Sequence, residues 1–262
     1  MVSIARIERS GEMAESYLSE FALRMGPVLC VCLAAFLQSI TGFGLVMTAA
    51  PLLLFFYDAK IVIITMFFLA SCGNALQTAM LWRQVNWCRI WELACGAVVG
   101  IPLGFLVFRQ LPSDGLKLIV SIVILFSLIT MQMKHKRFEE NRRNTIFVGI
   151  LAGIMAMTTG MAGPPLAIYF ACTSMPQPVF RATCICYFLF SNFCSLMAFW
   201  IGGISVQAAM TEFTFLLPGL LLGIGAGHMA FRFMPTKLVR RMIFMLLYFT
   251  CIYNIYVSII KL

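Results

Sequence analysis

Two glycine-centred interruptions break a chain that is otherwise close to continuous in apolar residues. Thr41-Gly42-Phe43-Gly44 separates the apolar runs Pro27 to Ile40 and Leu45 to Tyr57, and Thr159-Gly160-Met161-Ala162-Gly163-Pro164-Pro165 separates Thr145 to Thr159 from Pro165 to Ser174. Glycine permits backbone conformations that a helix forbids and lets main-chain N–H groups face a cavity, while the double proline removes two donors and cannot extend a helix from the residue before it. Paired interruptions at matching positions are the sequence mark of a transporter binding site. A helix that begins at such a break carries roughly half a positive charge at its N-terminus, so the chemistry expected there is non-covalent capture of an anion.

Polar side chains inside apolar runs are the other candidates, because polar groups are costly in lipid and persist where they have a use. Arg181 follows Pro176-Gln177-Pro178 and opens the run Ala182 to Ile201; its guanidinium fork matches the oxygens of a sulfonate or carboxylate, and the other reading is an interfacial arginine reaching to headgroups. Arg109 and Arg232 end their runs shortly before Pro112 and Pro235 and read as topology determinants. Gln38, Ser71, Asn74 and Gln77 in the first half, with Asn192 and Ser195 in the second, line either a cavity or a helix–helix contact; Asn74 and Asn192 are the two assigned to the cavity. Glu92 and Glu212 sit near helix starts, where a carboxylate stabilises the helix dipole, although a buried carboxylate could also couple a proton. His228 reads as a packing residue before a proton relay.

These residues resemble, in their order, the sulfite exporter TauE/SafE family, whose members are also described as organosulfonate permeases. The resemblance covers roughly Pro27 to Ile260. It rests on Leu37-Gln38-Ser39-Ile40-Thr41-Gly42-Phe43-Gly44 followed by Pro51, and on Thr159-Gly160-Met161-Ala162-Gly163-Pro164-Pro165. Phe180-Arg181-Ala182-Thr183 with Asn192 downstream, and two glycine-rich helices ending in Phe-Arg and a proline, support it. It implies about eight spanning helices in two four-helix repeats and transport of sulfite, a sulfonate or a related organic acid. The substrate-binding set expected is Gln38, Thr41, Gly42, Gly44, Asn74, Thr159, Gly160, Gly163, Arg181 and Asn192.

The elements that must position this set follow from composition. With 61% hydrophobic and 11% charged residues among 262, and a mean hydropathy of +0.95, the chain lacks the polar surface of a water-soluble domain, which carries about 25% charged residues. The fold class expected is an all-α polytopic membrane protein. Its net charge of +9 comes from basic residues set singly between apolar runs, which orients helices in a bilayer and gives no footprint for nucleic acid. Most of the ten cysteines lie within apolar runs and behave as small hydrophobes. Residues 1–26 form an amphipathic segment without the pattern of a cleavable signal peptide. Residues 27–133 form a first membrane repeat, 134–144 a basic loop, and 145–262 a second repeat.

An internal duplication underlies that division. Gly100 to Pro112 aligns without gaps to Gly223 to Pro235 with six of thirteen positions identical; Thr41-Gly42 recurs as Thr159-Gly160, Trp82 as Trp200 and Glu92 as Glu212. Each interrupted pair is either one broken crossing or a re-entrant hairpin. The first gives four crossings per half with both halves in one orientation. The second gives three crossings and inverted halves, with Arg83, Arg89 and the basic loop on the richer side. The resemblance favours the first, the distribution of positive charge the second. No nucleophile elbow, phosphate loop or zinc helix is present, so neither an enzyme nor an ATP-driven pump is expected, and no cofactor. The expected partners are a small anion and the lipid bilayer of a bacterial cytoplasmic membrane, with a homodimer left open. The rival function is a non-transporting membrane subunit for assembly or cofactor handling that uses the cysteines.

Overall fold

The computed structural model describes residues 25–38, 45–132, 141–171, 173, 175–230, 245 and 248–257. Among them every regular element is helical. In chain order these are α1 (Met25–Gln38), α2 (Leu45–Leu53), α3 (Ala59–Leu81, followed by a 3-10 turn, Trp82–Gln84), α4 (Trp87–Gln110), α5 (Ser113–Gln132), α6 (Arg142–Thr159), α7 (Gly163–Ala171), α8 (Gln177–Ile201), α9 (Gln207–Ala230) and α10 (248–257).

Local signals set the helix ends. Asn86 and Asn141 cap α4 and α6, their side chains accepting from the backbone N–H groups of Arg89 and Arg143 at 3.3 Å. The cap at Asn141 carries α6 back to Arg142, so residues expected in the basic loop are already helical. Gly160 ends α6 in the left-handed region, φ 75°, with its N–H bonded to the carbonyl of Ala156 at 2.7 Å; a side chain would be strained there. Among the described residues five helical stretches are long and apolar enough to cross a membrane: Ala59–Gln84, Trp87–Gln110, Ser113–Thr130, Pro178–Ile201 and Gln207–Gly227. Their outward faces carry large apolar side chains such as Val98, Leu106, Phe126, Trp200 and Leu222, as surfaces against acyl chains do.

Both interrupted pairs fold back. Thr145 in the first turn of α6 lies 2.7 Å, hydroxyl to hydroxyl, from Tyr169 near the end of α7. A helix continuing across the break would hold those residues about 36 Å apart, at 1.5 Å rise per residue. The first pair does the same: Gly26 at the start of α1 faces the ring of Phe56, just beyond α2. The interrupted segments, expected as either broken crossings or re-entrant hairpins, thus have their outer ends together among the described residues. Among those residues α1 has 14 and α2 nine.

The long helices then run in defined directions. At one end of the α3–α8 pair the N–H of Asn86 donates to Thr183 Oγ1 at 3.1 Å, and at the other the rings of Phe67 and Phe199 lie 5.8 Å apart, so these helices are antiparallel. The first turn of α9 meets the middle of α3, with Thr65 donating to the carbonyl of Ala209 and Phe68 beside Phe213; the two run parallel. Phe199 also touches Phe105 and Phe108 and so joins α3, α4 and α8 in one aromatic core.

Two glycine seams bind the hairpins to this frame. Gly96, Gly100 and Gly104 of α4 lie against the backbone of Ile146, Ile150 and Ile154 of α6, in parallel register, and form the most extensive helix contact described. Gly219 and Gly223 of α9 lie in the same way against Val28 and Cys32 of α1. Without a Cβ the backbones approach closely enough for dispersion to hold them, the main source of helix association in lipid. Gly100→Val should clash with the backbone of Ile150 and destabilise the purified protein by about 1–3 kcal/mol, the usual cost of overpacking; Gly225→Val, at a position with open space around it, should leave the unfolding temperature nearly unchanged. Fold-back is checked by single cysteines: Gly26 and Asp58 should label from one face of the membrane, and Asn141 and Pro176 from the other. Labelling of Gly26 and Asp58 from opposite faces would refute the hairpin.

Candidate functional site

Gln38 of α1, the described start of α2 and the tip of the second hairpin meet in the interior beside α3 and α8. Here lies a cavity of about 60 Å³, lined by Gln38, the first turn of α2 (Leu45 to Met47), Ala70 and Asn74 of α3, the second tip from Gly160 to Pro164, and Ile185, Phe188 and Asn192 of α8. Since one water needs about 10–15 Å³ of such space, the cavity takes about four to six water-sized groups.

Its electrostatics come from backbone and amides. No ionisable side chain is among the lining residues. The described part of α2 starts at the cavity wall with Leu45, Val46 and Met47, and α7 begins there at Gly163. On the other tip Pro164 and Pro165 have no N–H, which leaves Ala162 and Gly163 as the donors of that turn. The positive N-terminal end of α7 thus faces a small space lined, among the described residues, by neutral groups. Asn74 and Asn192 are 5% and 6% exposed. Asn192 Nδ2 is buried with no hydrogen-bond partner, and the side chain of Asn74 bonds none of the described residues. A buried donor left unsatisfied costs about 1–3 kcal/mol, which a bound acceptor would recover.

Five members of the expected set therefore line one cavity: Gln38, Asn74, Gly160, Gly163 and Asn192. Thr41, Gly42 and Gly44 lie outside the described residues. Thr159 is fully buried, but its hydroxyl donates to the carbonyl of Met155 at 2.7 Å and accepts from the N–H of Met161 at 3.3 Å, so it braces the second tip from behind. Arg181 is exposed in the first turns of α8 and does not line the cavity. It stands about 16 Å along the helix axis from Asn192, at 1.5 Å per residue, on the stripe that continues through Ile185, Phe188 and Asn192. Sequence reasoning missed the apolar lining, Ala70, Ile185 and Phe188 among it. A signal was present: the separation that carries Thr41 onto Thr159 and Trp82 onto Trp200 also carries Asn74 onto Asn192 and Ala70 onto Phe188.

The weaker candidates have local duties. Ser71 donates to the carbonyl of Phe67 and Gln77 to that of Gly73. Glu92 accepts from Arg89 at 2.8 Å in a pair with side chains 12% and 16% exposed. Arg109 is exposed in the last turn of α4, and Arg232 lies outside the described residues. Among the described residues no three His, Cys, Asp or Glu side chains gather as a metal site would require.

The family model described as Sulfite exporter TauE/SafE matches residues 28–254. The chain belongs to the TauE/SafE family. A relative from Cupriavidus necator, named as a probable sulfite/organosulfonate exporter TauE, is 26% identical over 189 residues, which cover 67% of this chain and 73% of the relative. No solved structure matches the chain. Membership and the apolar crossings together make this TauE/SafE protein a multi-pass helical membrane protein of a transport family.

Polar straps hold the hairpin bases of this family member. Arg89 Nη1, besides its pair with Glu92, donates to Thr145 Oγ1 at 3.2 Å, and Thr145 joins Tyr169, so α4, α6 and α7 share one buried chain of bonds. At the first hairpin Lys117 Nζ donates to the carbonyl of Leu54 at 3.1 Å and Asn254 Nδ2 to that of Pro51 at 3.0 Å; these bonds satisfy carbonyls at the end of α2 that the helix leaves open. Tyr169→Phe should lower stability by about 1 kcal/mol, one hydrogen bond. Arg89→Gln should cost more, because it leaves Glu92 half-buried without its cation; thermal unfolding of the detergent-solubilised variants checks the order.

Proposed function

We propose that the protein is a secondary transporter of a small monovalent anion, sulfite in its singly charged form or a sulfonate, held between the two hairpin tips and moved by alternating access. The observation that carries this reading is the convergence of the N-terminus of α7, the described start of α2 and two buried asparagines on a cavity with no ionisable side chain among its described lining residues. Dipoles and amides can offset one negative charge, but the desolvation cost of an ion grows with the square of its charge, so a dianion fits poorly. The relative's printed name, which speaks of sulfite and organosulfonate export, agrees in chemical class.

The same reading takes the halves as inverted repeats, each a hairpin followed by three crossings. The two glycine seams support it: the separation that carries Gly96 and Gly100 onto Gly219 and Gly223 pairs with the one that carries Val28 and Cys32 onto Ile146 and Ile150, so each contact has its counterpart in the other half. The antiparallel course of α3 and α8 supports it too. Arg83, Arg89 and Arg181 then share a face with the basic loop, which the charge rule sets in the cytoplasm. In a bacterial cytoplasmic membrane, Arg181 would gather anions at the inner mouth of the pathway.

Thermal unfolding against sulfite, methanesulfonate, sulfate, phosphate and lactate tests this. A bound anion at a hundredfold excess over its dissociation constant stabilises by about 2.7 kcal/mol. Sulfite and methanesulfonate should stabilise while sulfate does not, and Asn192→Ala should abolish the shift without lowering the stability of the ligand-free protein. Sulfite binding should strengthen as pH falls through neutrality and the ion takes up a proton, whereas methanesulfonate binding should stay flat. Arg181→Ala should slow flux into proteoliposomes and leave the binding shift in place. Equal stabilisation by sulfate, or a shift that survives Asn192→Ala unchanged, would refute the site.

A further inference from the structure

Four pairs of cavity-lining residues are related by the duplication. The separation that carries Asn74 onto Asn192 carries Leu45 onto Gly163 and Val46 onto Pro164, all of them in the wall. One helical turn before each asparagine it carries Ala70 onto Phe188, a methyl group onto a phenyl ring. Because α3 and α8 run antiparallel, these two residues lie on opposite sides of the asparagine pair: Phe188 toward the end of the molecule that bears Arg181, Ala70 toward the other. On the Phe188 side Ile185 adds a second large apolar group, and it is 4% exposed. Toward the Arg181 end the asparagine pair is thus flanked by Phe188 and Ile185, and toward the other end by the methyl group of Ala70; Phe67, the counterpart of Ile185, is not in the lining and packs against Phe199 instead.

We propose that Phe188 and Ala70 are the residues that set the size and orientation of the anion this protein accepts. The charged head sits at Asn74 and Asn192, Phe188 closes the Arg181 side to any organic substituent, and a short substituent lies toward Ala70. This rests on the anion-site reading above. With room for about four to six water-sized groups, the cavity fits sulfite or methanesulfonate and excludes a longer alkyl chain. An apolar pocket discriminates a missing or extra methylene by about 10–200-fold, so exchanging a phenyl ring for a methyl group reads out clearly.

The experiment compares dissociation constants for sulfite, methanesulfonate and 1-butanesulfonate, by thermal-shift titration, on the detergent-purified full chain and on Phe188→Ala, Phe188→Leu and Ala70→Leu. The wild type should bind sulfite and methanesulfonate in preference to butanesulfonate. Phe188→Ala should move the sulfite-to-butanesulfonate ratio toward butanesulfonate by at least about tenfold, with Phe188→Leu in between. Ala70→Leu should move the ratio of sulfite to methanesulfonate toward sulfite. General packing damage would weaken all three anions together, so a ratio that stays within twofold in the folded Phe188 variants overturns the proposal. A ratio that moves in the same direction at both positions overturns it too. Absence of binding of every anion to the wild type would overturn the anion-site reading on which it rests, and that outcome is distinct from unchanged ratios with binding intact.

Discussion

A backbone N–H or C=O inside hydrocarbon has no water to bond, and each one left unsatisfied costs several kcal/mol. The short arms of the two hairpins live under that constraint. α2 and α7 are nine residues each, and each has unsatisfied donors at one end and unsatisfied acceptors at the other. At the acceptor end of α2, Lys117 and Asn254 supply the missing donors. The donor end of α7 and the described start of α2 face the same cavity. The helix breaks that would be a liability in lipid are thus tolerated because they line a space where a ligand or water can complete them.

The frame that makes this arrangement hold is built from close backbone contact. A re-entrant arm gains little from hydrophobic burial, since lipid is as apolar as the protein interior. Its anchorage comes from the glycine seams, where Gly100 meets Ile150 and Gly223 meets Cys32. The partner of each hairpin is the long glycine-rich helix of the other half, so the two halves are interlaced and cannot separate as sequence units. Any rearrangement around the site must move a hairpin together with a helix from the opposite half. The strap from Arg89 through Thr145 to Tyr169 reinforces that union on one side; in the first half Pro27 and Pro51 occupy the positions corresponding to Thr145 and Tyr169, and neither has a side chain that could form such a strap.

Charge selection follows from what is absent around the asparagines. An arginine in the cavity would hold an anion tightly and hinder its release. A neutral wall of dipoles binds more weakly and suits an ion that must leave on the other side. Arg181, set at the start of α8, keeps its charge near solvent and away from the bound ion. The buried asparagine pair related by the duplication stands on the two long helices that wall the cavity.

Sequence alone determined the apolar solvent, the helical class, the two interruptions and the kind of ligand that helix ends attract, because each is a local property of composition or spacing. Asn74 and Asn192 were legible for the same reason, as amides placed mid-run. The direction of the chain after each break was not. Two runs of about a dozen apolar residues have the same hydropathy whether the second continues outward or turns back, and only the contact between Thr145 and Tyr169 decides that it returns. Arg181 illustrates the other limit: its side chain has the right chemistry for a sulfonate, but its place in α8 leaves it exposed about three turns from Asn192. The apolar wall was invisible because Ala70, Ile185 and Phe188 resemble every other residue of a membrane helix. What distinguishes them is the crossing of α3 and α8, a tertiary fact set by contacts between residues 97 and 132 positions apart.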